Sequence, residues 1–484
     1  MVRKVSQKHL NEWNDLQTLA EKMIPVVGEL YRKKEVVLKV FGRKLMTSST
    51  TDIIKAHRFG RLLKGSELDM HKSFEMMQVI SKMHLLPCRV DLGALCHEYL
   101  ESHQDVSMQD FLNQNLSPSI AAKEIIQQDS RDIVLYGFGR IGRILTRLLI
   151  DRTGSGMKMR LRGVVVRAKG DLEADLIKRA SLLGSDSVHG EFKGSIQVDR
   201  ENLALIINGA YVQFIYANSP DSIDYTQYGI KDALVVDNTG IWTDEQALGQ
   251  HLKSRGVSKV LLTAPAKGAI PNIVYGVNSD KIDPEDKIIC AASCTTNAIV
   301  PVLKVIDDNF GIVNGHIETI HSYTNDQNLI DNFHSKDRRG RSAPLNMVLT
   351  STGAAKAVAK VLGPDIGSKL TGNAIRVPTP NVSMAVMNLN LDKDTTKEEL
   401  QEMFRDISYE SPLRDQIGYT WSTEVVSSDL VGSSQAGVVD GEAIIADGKR
   451  IVLYVWYDNE AGYSNQVVRV MQDYVGLKWA KYPI

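Results

Sequence analysis

Ile133-Val134-Leu135-Tyr136-Gly137-Phe138-Gly139-Arg140-Ile141-Gly142 is the stretch on which the reading of this chain turns. Four apolar residues suited to a short strand run straight into a G-x-G-x-x-G pattern. Ile144, Leu145, Leu148 and Leu149 then recur at helical spacing. Glycines alone are a weak signal, but between a strand and a helix they mark a dinucleotide-binding turn. Gly137 permits the tight turn, Gly139 lets backbone approach a pyrophosphate, and Gly142 lets the helix pack on the strand. Phe138, Arg140 and Ile141 complete the loop, and the pyrophosphate belongs at the helix N-terminus. A second strand is expected at Arg162-Gly163-Val164-Val165-Val166. An acid at its end would hold the adenosine ribose hydroxyls and select NAD. The chain instead reads Arg167-Ala168-Lys169-Gly170-Asp171, in which Arg167 and Lys169 suit a 2′-phosphate, so both NAD and NADP stay open.

Working outward, strand-like runs at residues 212–216, 233–236, 260–262 and 273–277 alternate with other elements. That alternation predicts an α/β, doubly wound parallel sheet. Upstream, Leu10, Trp13, Leu16, Ala20, Met23 and Val27 share one helical face, with Pro25 and Gly28 expected to kink or break that helix near its end. Four further helices are expected, one capped within Ser49-Thr50-Thr51, one starting at Ser66, one holding Leu92, Leu95 and Tyr99, and a short one at Phe111 and Leu112. Residues 1–128 therefore read as an all-α N-terminal domain, and Leu116 to Asp129 as a connector. Residues 129–293 read as a Rossmann dinucleotide-binding domain and residues 294–456 as a mixed α/β catalytic domain. Residues 457–484 are expected to return to the nucleotide domain.

Composition narrows the classes of partner. The 484 residues carry 57 lysines and arginines against 58 acids, a formal charge of −1. That balance gives no footprint for nucleic acid or an anionic membrane. Four cysteines are too few for a disulfide scaffold, and no His/Cys spacing suggests a metal. No signal-peptide pattern and no apolar run of membrane-spanning length are visible, so the cytoplasm is the expected location.

A second stretch carries the chemistry. Lys287-Ile288-Ile289-Cys290 delivers Ala291-Ala292-Ser293-Cys294-Thr295-Thr296-Asn297, and Ile299, Val300, Leu303 and Ile306 follow at helical spacing. Cys294 is thus predicted at a strand-to-helix turn, where unpaired N–H groups favour a thiolate nucleophile. Pro301 counts against an unbroken helix, since it removes a backbone donor.

These stretches occur in order with His321-Ser322-Tyr323-Thr324-Asn325-Asp326-Gln327, Ser351-Thr352-Gly353-Ala354-Ala355-Lys356-Ala357, Arg376-Val377-Pro378-Thr379-Pro380 and Trp456-Tyr457-Asp458-Asn459-Glu460. Together they resemble phosphorylating glyceraldehyde-3-phosphate dehydrogenase over residues 130–478, and typical members lack the first 128 residues. The resemblance implies that Cys294 is the nucleophile and His321 its general base. It implies a hemithioacetal, hydride transfer to NAD or NADP, and a thioester attacked by inorganic phosphate to give 1,3-bisphosphoglycerate. Thr324, Asp326 and Arg376 match the substrate-phosphate region, although a carboxylate at 326 would repel a phosphate. Ser293, Thr295, Thr352, Gly353 and Arg341 match the inorganic-phosphate region; three arginines lie in Lys336-Asp337-Arg338-Arg339-Gly340-Arg341, and spacing alone chooses among them. Asn459 matches the nicotinamide contact, and Thr239 and Gly240 the adenosine side.

The resemblance further implies a homotetramer with a triose phosphate as substrate, in glycolysis or gluconeogenesis. Two other readings stay open. One is erythrose-4-phosphate dehydrogenase, which shares the fold and most motifs. The other is a regulatory or binding protein acting through the N-terminal extension.

Overall fold

A computed structural model describes residues 2–120, 130–152, 159–351, 353–477 and 479–483. The chain divides into two compact units. One holds the described residues of Met1–Asp129 and Leu477–Ile484, and the other those of Ser130–Thr153 and Lys158–Gly476.

The larger unit begins with the strand Arg131–Tyr136, whose Ile133, Val134 and Leu135 are fully buried. A strand covered on both faces reads as a continuous apolar run, which is why this segment lacks alternation. It sits inside an eight-stranded sheet. In order across the sheet lie Ile288–Cys290, Val257–Leu262, Ala233–Asp237, Arg131–Tyr136, Met159–Val166, Ala210–Tyr216, Ala204–Ile207 and Ile196–Asp199. The first six are mutually parallel and the last two are added antiparallel. Strand order reverses at Arg131–Tyr136, so a crevice opens beyond its carboxyl end and that of Ala233–Asp237, the place where such sheets bind ligands. Gly137 takes φ +105°, and a Cβ at Gly142 would lie 2.4 Å from the Gly137 carbonyl oxygen. Only a glycine lets the helix Arg140–Arg152 start that close to the strand.

A second sheet of seven strands follows, ordered Val348–Ser351, Leu370–Val377, Ile312–Ser322, Ser383–Thr395, Ile445–Tyr457, Gly437–Asp440 and Ile417–Thr420. Along Ser383–Thr395 burial alternates, with Ala385, Met387, Leu389 and Leu391 facing the core. The helix Cys294–Phe310 packs on that face and runs through Pro301 without a break. The C-terminal helix Ala461–Tyr474 is buried almost all round, with Val467, Val468, Val470 and Met471 fully buried, and it packs against Arg140–Arg152.

Residues 273–277 are not a strand, contrary to expectation. Just before them, one isolated bridge joins Asn272 to Cys290. Asn278 instead wraps the segment, accepting from the Val274 N–H at 2.8 Å and donating to the Asn272 carbonyl at 2.9 Å.

The smaller unit corrects three expectations. Its helices are present, with Ser49 and Asp52 forming a reciprocal cap and Asp69, Asp91 and Ser107 capping later helices. It is not all-α, however. Val36–Val40, Arg43–Lys44 and Cys88–Asp91 form a sheet joined by Ala480–Tyr482 from the far end of the chain. Val36, Leu38, Val40, Cys88 and Val90 are almost fully buried, as β-branched and small apolar residues in a strand should be. Residues 477–484 therefore do not return to the nucleotide domain. The helix Val2–Lys34 also continues past Pro25, whose exposed position leaves the lost hydrogen bond on the solvent side while Met23, Val27 and Leu30 stay in the core. The expected connector contributes the short helix Ser117–Ile120, and its residues 121–129 lie outside the described residues.

Candidate active site

Cys294 is the first residue of its helix, and the turn before it is strained. Ala292 adopts φ +51°, a left-handed conformation unusual for a residue with a Cβ, and the Tyr463 hydroxyl donates to its carbonyl at 3.0 Å. Ser293 caps the helix, its Oγ accepting from the Thr296 N–H at 3.0 Å. These contacts aim Sγ of Cys294 at Nε2 of His321, 3.6 Å away.

His321 ends the strand Ile312–Ser322 and is 6% exposed. Its Nδ1 lies 2.7 Å from the Ser322 carbonyl and 2.7 Å from a guanidinium nitrogen of Arg376, which also donates to that carbonyl at 2.8 Å. Strand pairing sets His321 directly beside Arg376. With the Nδ1 proton donated to the carbonyl, Nε2 is bare and faces the thiol; the tautomer is assigned from these contacts. Burial, then the Arg376 charge, lowers the imidazole pKa to about 3. Burial likewise pushes the Cys294 thiol up, against a pull downward from Arg376 and the Thr295 hydroxyl. Both shifts act against the thiolate that the helix N-terminus favours.

Tyr457 underlies the pair. Its hydroxyl hydrogen-bonds Thr295 Oγ1 at 3.0 Å and Thr319 Oγ1 at 2.6 Å, and its ring stands edge-on to His321. Asn459 accepts at Oδ1 from the Ser322 and Ser383 hydroxyls, at 2.8 and 3.0 Å.

Around Arg376, whose Nε is buried without a partner, two further groups gather. Asp326 binds the Thr324 hydroxyl and a guanidinium nitrogen of Arg339 at 2.7 Å, and Arg339 reaches Thr350 Oγ1 at 3.3 Å. The Asp326 carboxylate is thus paired, which offsets the repulsion a phosphate would meet. Of the three neighbouring arginines, Arg339 turns inward, with its side chain 12% exposed. Arg341 points outward and binds Asp331 at 2.7 Å. Gly353 precedes the helix Ala354–Leu362 with open space where a Cβ would be. Thr352 lies outside the described residues.

The dinucleotide loop splits in its roles. Gly139 has nothing within 4 Å of a notional Cβ, so the backbone there is open to a ligand. Phe138 is a core residue packed on Phe214, and the Arg140 side chain is committed to Asp186 and Glu460. Thr239 is braced by Asp237, whose Oδ1 accepts from its N–H and hydroxyl at 2.8 and 2.7 Å, and Gly240 has open space at φ +66°. Arg167, Ala168 and Lys169 are exposed at the end of their strand. Asp171 caps the next helix through the Ala174 N–H at 2.9 Å. An open glycine loop at a helix N-terminus and a braced Asn459 amide whose Nδ2 lacks a partner among the described residues fit a nicotinamide dinucleotide.

Sequence reasoning passed over Tyr457, Tyr463 and Glu460. Tyr457 and Glu460 stood inside a quoted motif, but nothing local tells that a tyrosine hydroxyl will meet threonines 138 and 162 positions away. Among the described residues no group of His, Cys, Asp and Glu could hold a metal.

Comparison with known proteins agrees with this architecture. Residues 131–245 match the glyceraldehyde 3-phosphate dehydrogenase NAD binding domain, and residues 293–459 its C-terminal domain. A Pseudomonas aeruginosa protein named glyceraldehyde-3-phosphate dehydrogenase-like protein is 56% identical over 463 residues, covering 95% of this chain and all of the relative. The glyceraldehyde-3-phosphate dehydrogenases of Zymomonas mobilis and Neurospora crassa are 37% and 41% identical over 338 and 336 residues. Each alignment covers 69% of this chain, and 96% and 94% of the relatives. This chain belongs to the glyceraldehyde-3-phosphate dehydrogenase family, and by that membership is an NAD-dependent oxidoreductase with a small-molecule substrate.

Proposed function

We propose that the protein oxidises glyceraldehyde 3-phosphate, with inorganic phosphate, to 1,3-bisphosphoglycerate through a thioester on Cys294. The observation that carries this is the Cys294 Sγ at 3.6 Å from His321 Nε2, beside the Arg376 guanidinium. Sulfur adds to the aldehyde carbon while its proton passes through Nε2 to the carbonyl oxygen, giving a hemithioacetal. The Cys294 N–H, unpaired at the helix start, stabilises the oxyanion that forms on the way. His321 next takes the hemithioacetal hydroxyl proton as hydride leaves carbon, and the C–O bond becomes the carbonyl of a thioester. The nicotinamide, when bound, supplies the hydride acceptor. A phosphate oxygen then attacks the thioester carbonyl, the C–S bond breaks, and the Cys294 thiolate recovers its proton.

Arg376, Thr324 and Arg339, with Asp326 as a buttress, supply the cation and hydroxyl for the substrate's phosphate. Ser293, Thr295 and Gly353, with Thr352 and Arg341 taken from the resemblance, are the groups proposed to hold the inorganic phosphate. The pairing of Asp326 with Arg339 offsets its repulsion towards the substrate's phosphate. The reaction is proposed for the cytoplasm; no described helix is long and apolar enough to cross a membrane.

Use of NADP alongside NAD is proposed from Arg167 and Lys169, since Asp171 is spent on helix capping. Initial rates on glyceraldehyde 3-phosphate with NAD and NADP, each with and without phosphate, test both parts. The expected result is strict phosphate dependence and measurable turnover with NADP. Turnover without phosphate would remove the acyl-phosphate step, and turnover with NAD alone would remove the reading of Arg167.

A further inference from the structure

A buried fork of charge joins two parts of the site that lie far apart in sequence. Arg140 is the first helical residue after the glycine turn. It donates from Nε to Glu460 Oε1 at 2.8 Å, and from its other guanidinium nitrogens to Glu460 Oε2 and to Asp186. Glu460 Oε2 also meets His189 Nε2 at 3.0 Å. Asp186 Oδ1 accepts from the backbone N–H groups of Val188 and His189, each at 2.9 Å. All four side chains are mostly buried. An arginine at the positive end of a helix is unfavourable unless compensated, and these two carboxylates compensate it.

On the other side of the fork, Glu460 directly follows Asn459. The N–H groups of Glu460 and Ala461 are both held by Asp458 Oδ1, at 2.9 and 2.8 Å. Asn459 is itself clamped by the Ser322 and Ser383 hydroxyls. A shift of the glycine loop therefore pulls on the Asn459 backbone through a bidentate, desolvated ion pair, the most directional of charged contacts.

We propose that Glu460 is a positioning residue that locks the glycine loop and the Asn459 amide into one cradle, so that the two ends of a nicotinamide dinucleotide are bound as a unit. This rests on the dinucleotide reading given above. ADP-ribose separates the two ends, because it engages the loop and carries no nicotinamide for Asn459.

Calorimetric dissociation constants for NAD and for ADP-ribose are measured on the full chain and on its Glu460→Gln variant. The variant is expected to weaken NAD by about tenfold and ADP-ribose by less than about threefold. An equal loss for both ligands, which is what general damage to the loop would cause, overturns the proposal. So does no loss for either. Arg140→Lys, which keeps the cation and loses the fork, is read in the same way should Glu460→Gln fail to fold. Absence of binding of either ligand to the unaltered chain would instead overturn the dinucleotide reading, and the proposal with it.

Discussion

His321 is kept neutral by burial and by the guanidinium pressed on its Nδ1, and that has a consequence for stability as well as for catalysis. In the unfolded chain the imidazole titrates near 6.5, whereas the folded one resists protonation to about 3. Between those values the unfolded state binds the extra proton, so stability is lost as pH falls through that window. Denaturant titrations at pH 7 and pH 4.5 read this directly. His321→Asn should lose about 2 kcal/mol less than the parent between the two conditions. The same substitution should lower turnover about 100-fold or more, because the base is gone. An equal acid loss in both proteins would mean that another group carries the effect. At this scale the sequence was informative about residue types and silent about direction. Three arginines within four positions all suit a phosphate. Only the turn Asp337–Gly340 decides that Arg339 faces Asp326 while Arg341 faces solvent.

The elements legible in advance were those specified locally. Ser49 and Asp52 write a capping box into four residues, and Asp91 caps its helix through the Ala94 N–H at 3.1 Å. The strand Arg131–Tyr136 and its glycine turn were likewise readable, because strand, turn and helix follow one another directly. Val36–Val40 was not, for besides the two-residue hairpin strand Arg43–Lys44 its partner is Cys88–Asp91, and that strand's other neighbour is Ala480–Tyr482. No pattern within five residues reports such remote pairing. The last strand is anchored by Tyr482, which is 2% exposed and accepts from Ser119 Oγ at 2.8 Å. Tyr482→Ala should cost the smaller unit about 3 kcal/mol by leaving a cavity in its core. Hydrogen exchange would show this as weakened protection of Val36–Val40 and Cys88–Asp91, while protection of Arg131–Tyr136 stays unchanged. Unaltered protection in the first two strands would mean that the C-terminal strand is not needed there.

On the scale of the whole molecule, one loop of the larger unit leaves its apolar residues uncovered. Leu329, Ile330, Phe333, Leu345 and Met347 are all strongly exposed, Phe333 at 91%. Isolated exposed apolar residues are ordinary, but a cluster of large ones marks a surface that is covered in use. This supports the proposed homo-oligomer. Light scattering on Phe333→Glu together with Leu329→Glu should give a smaller particle than the parent protein. A parent that already has the mass of a single chain would remove the proposal. The smaller unit has its own consequence, and it concerns time. Its described helices and three of its strands precede the larger unit in the chain, yet its edge strand Ala480–Tyr482 follows it. At roughly 5–20 residues per second, the nascent unit waits on the order of tens of seconds with one sheet edge open. The whole of the larger unit is therefore made before that edge can be paired.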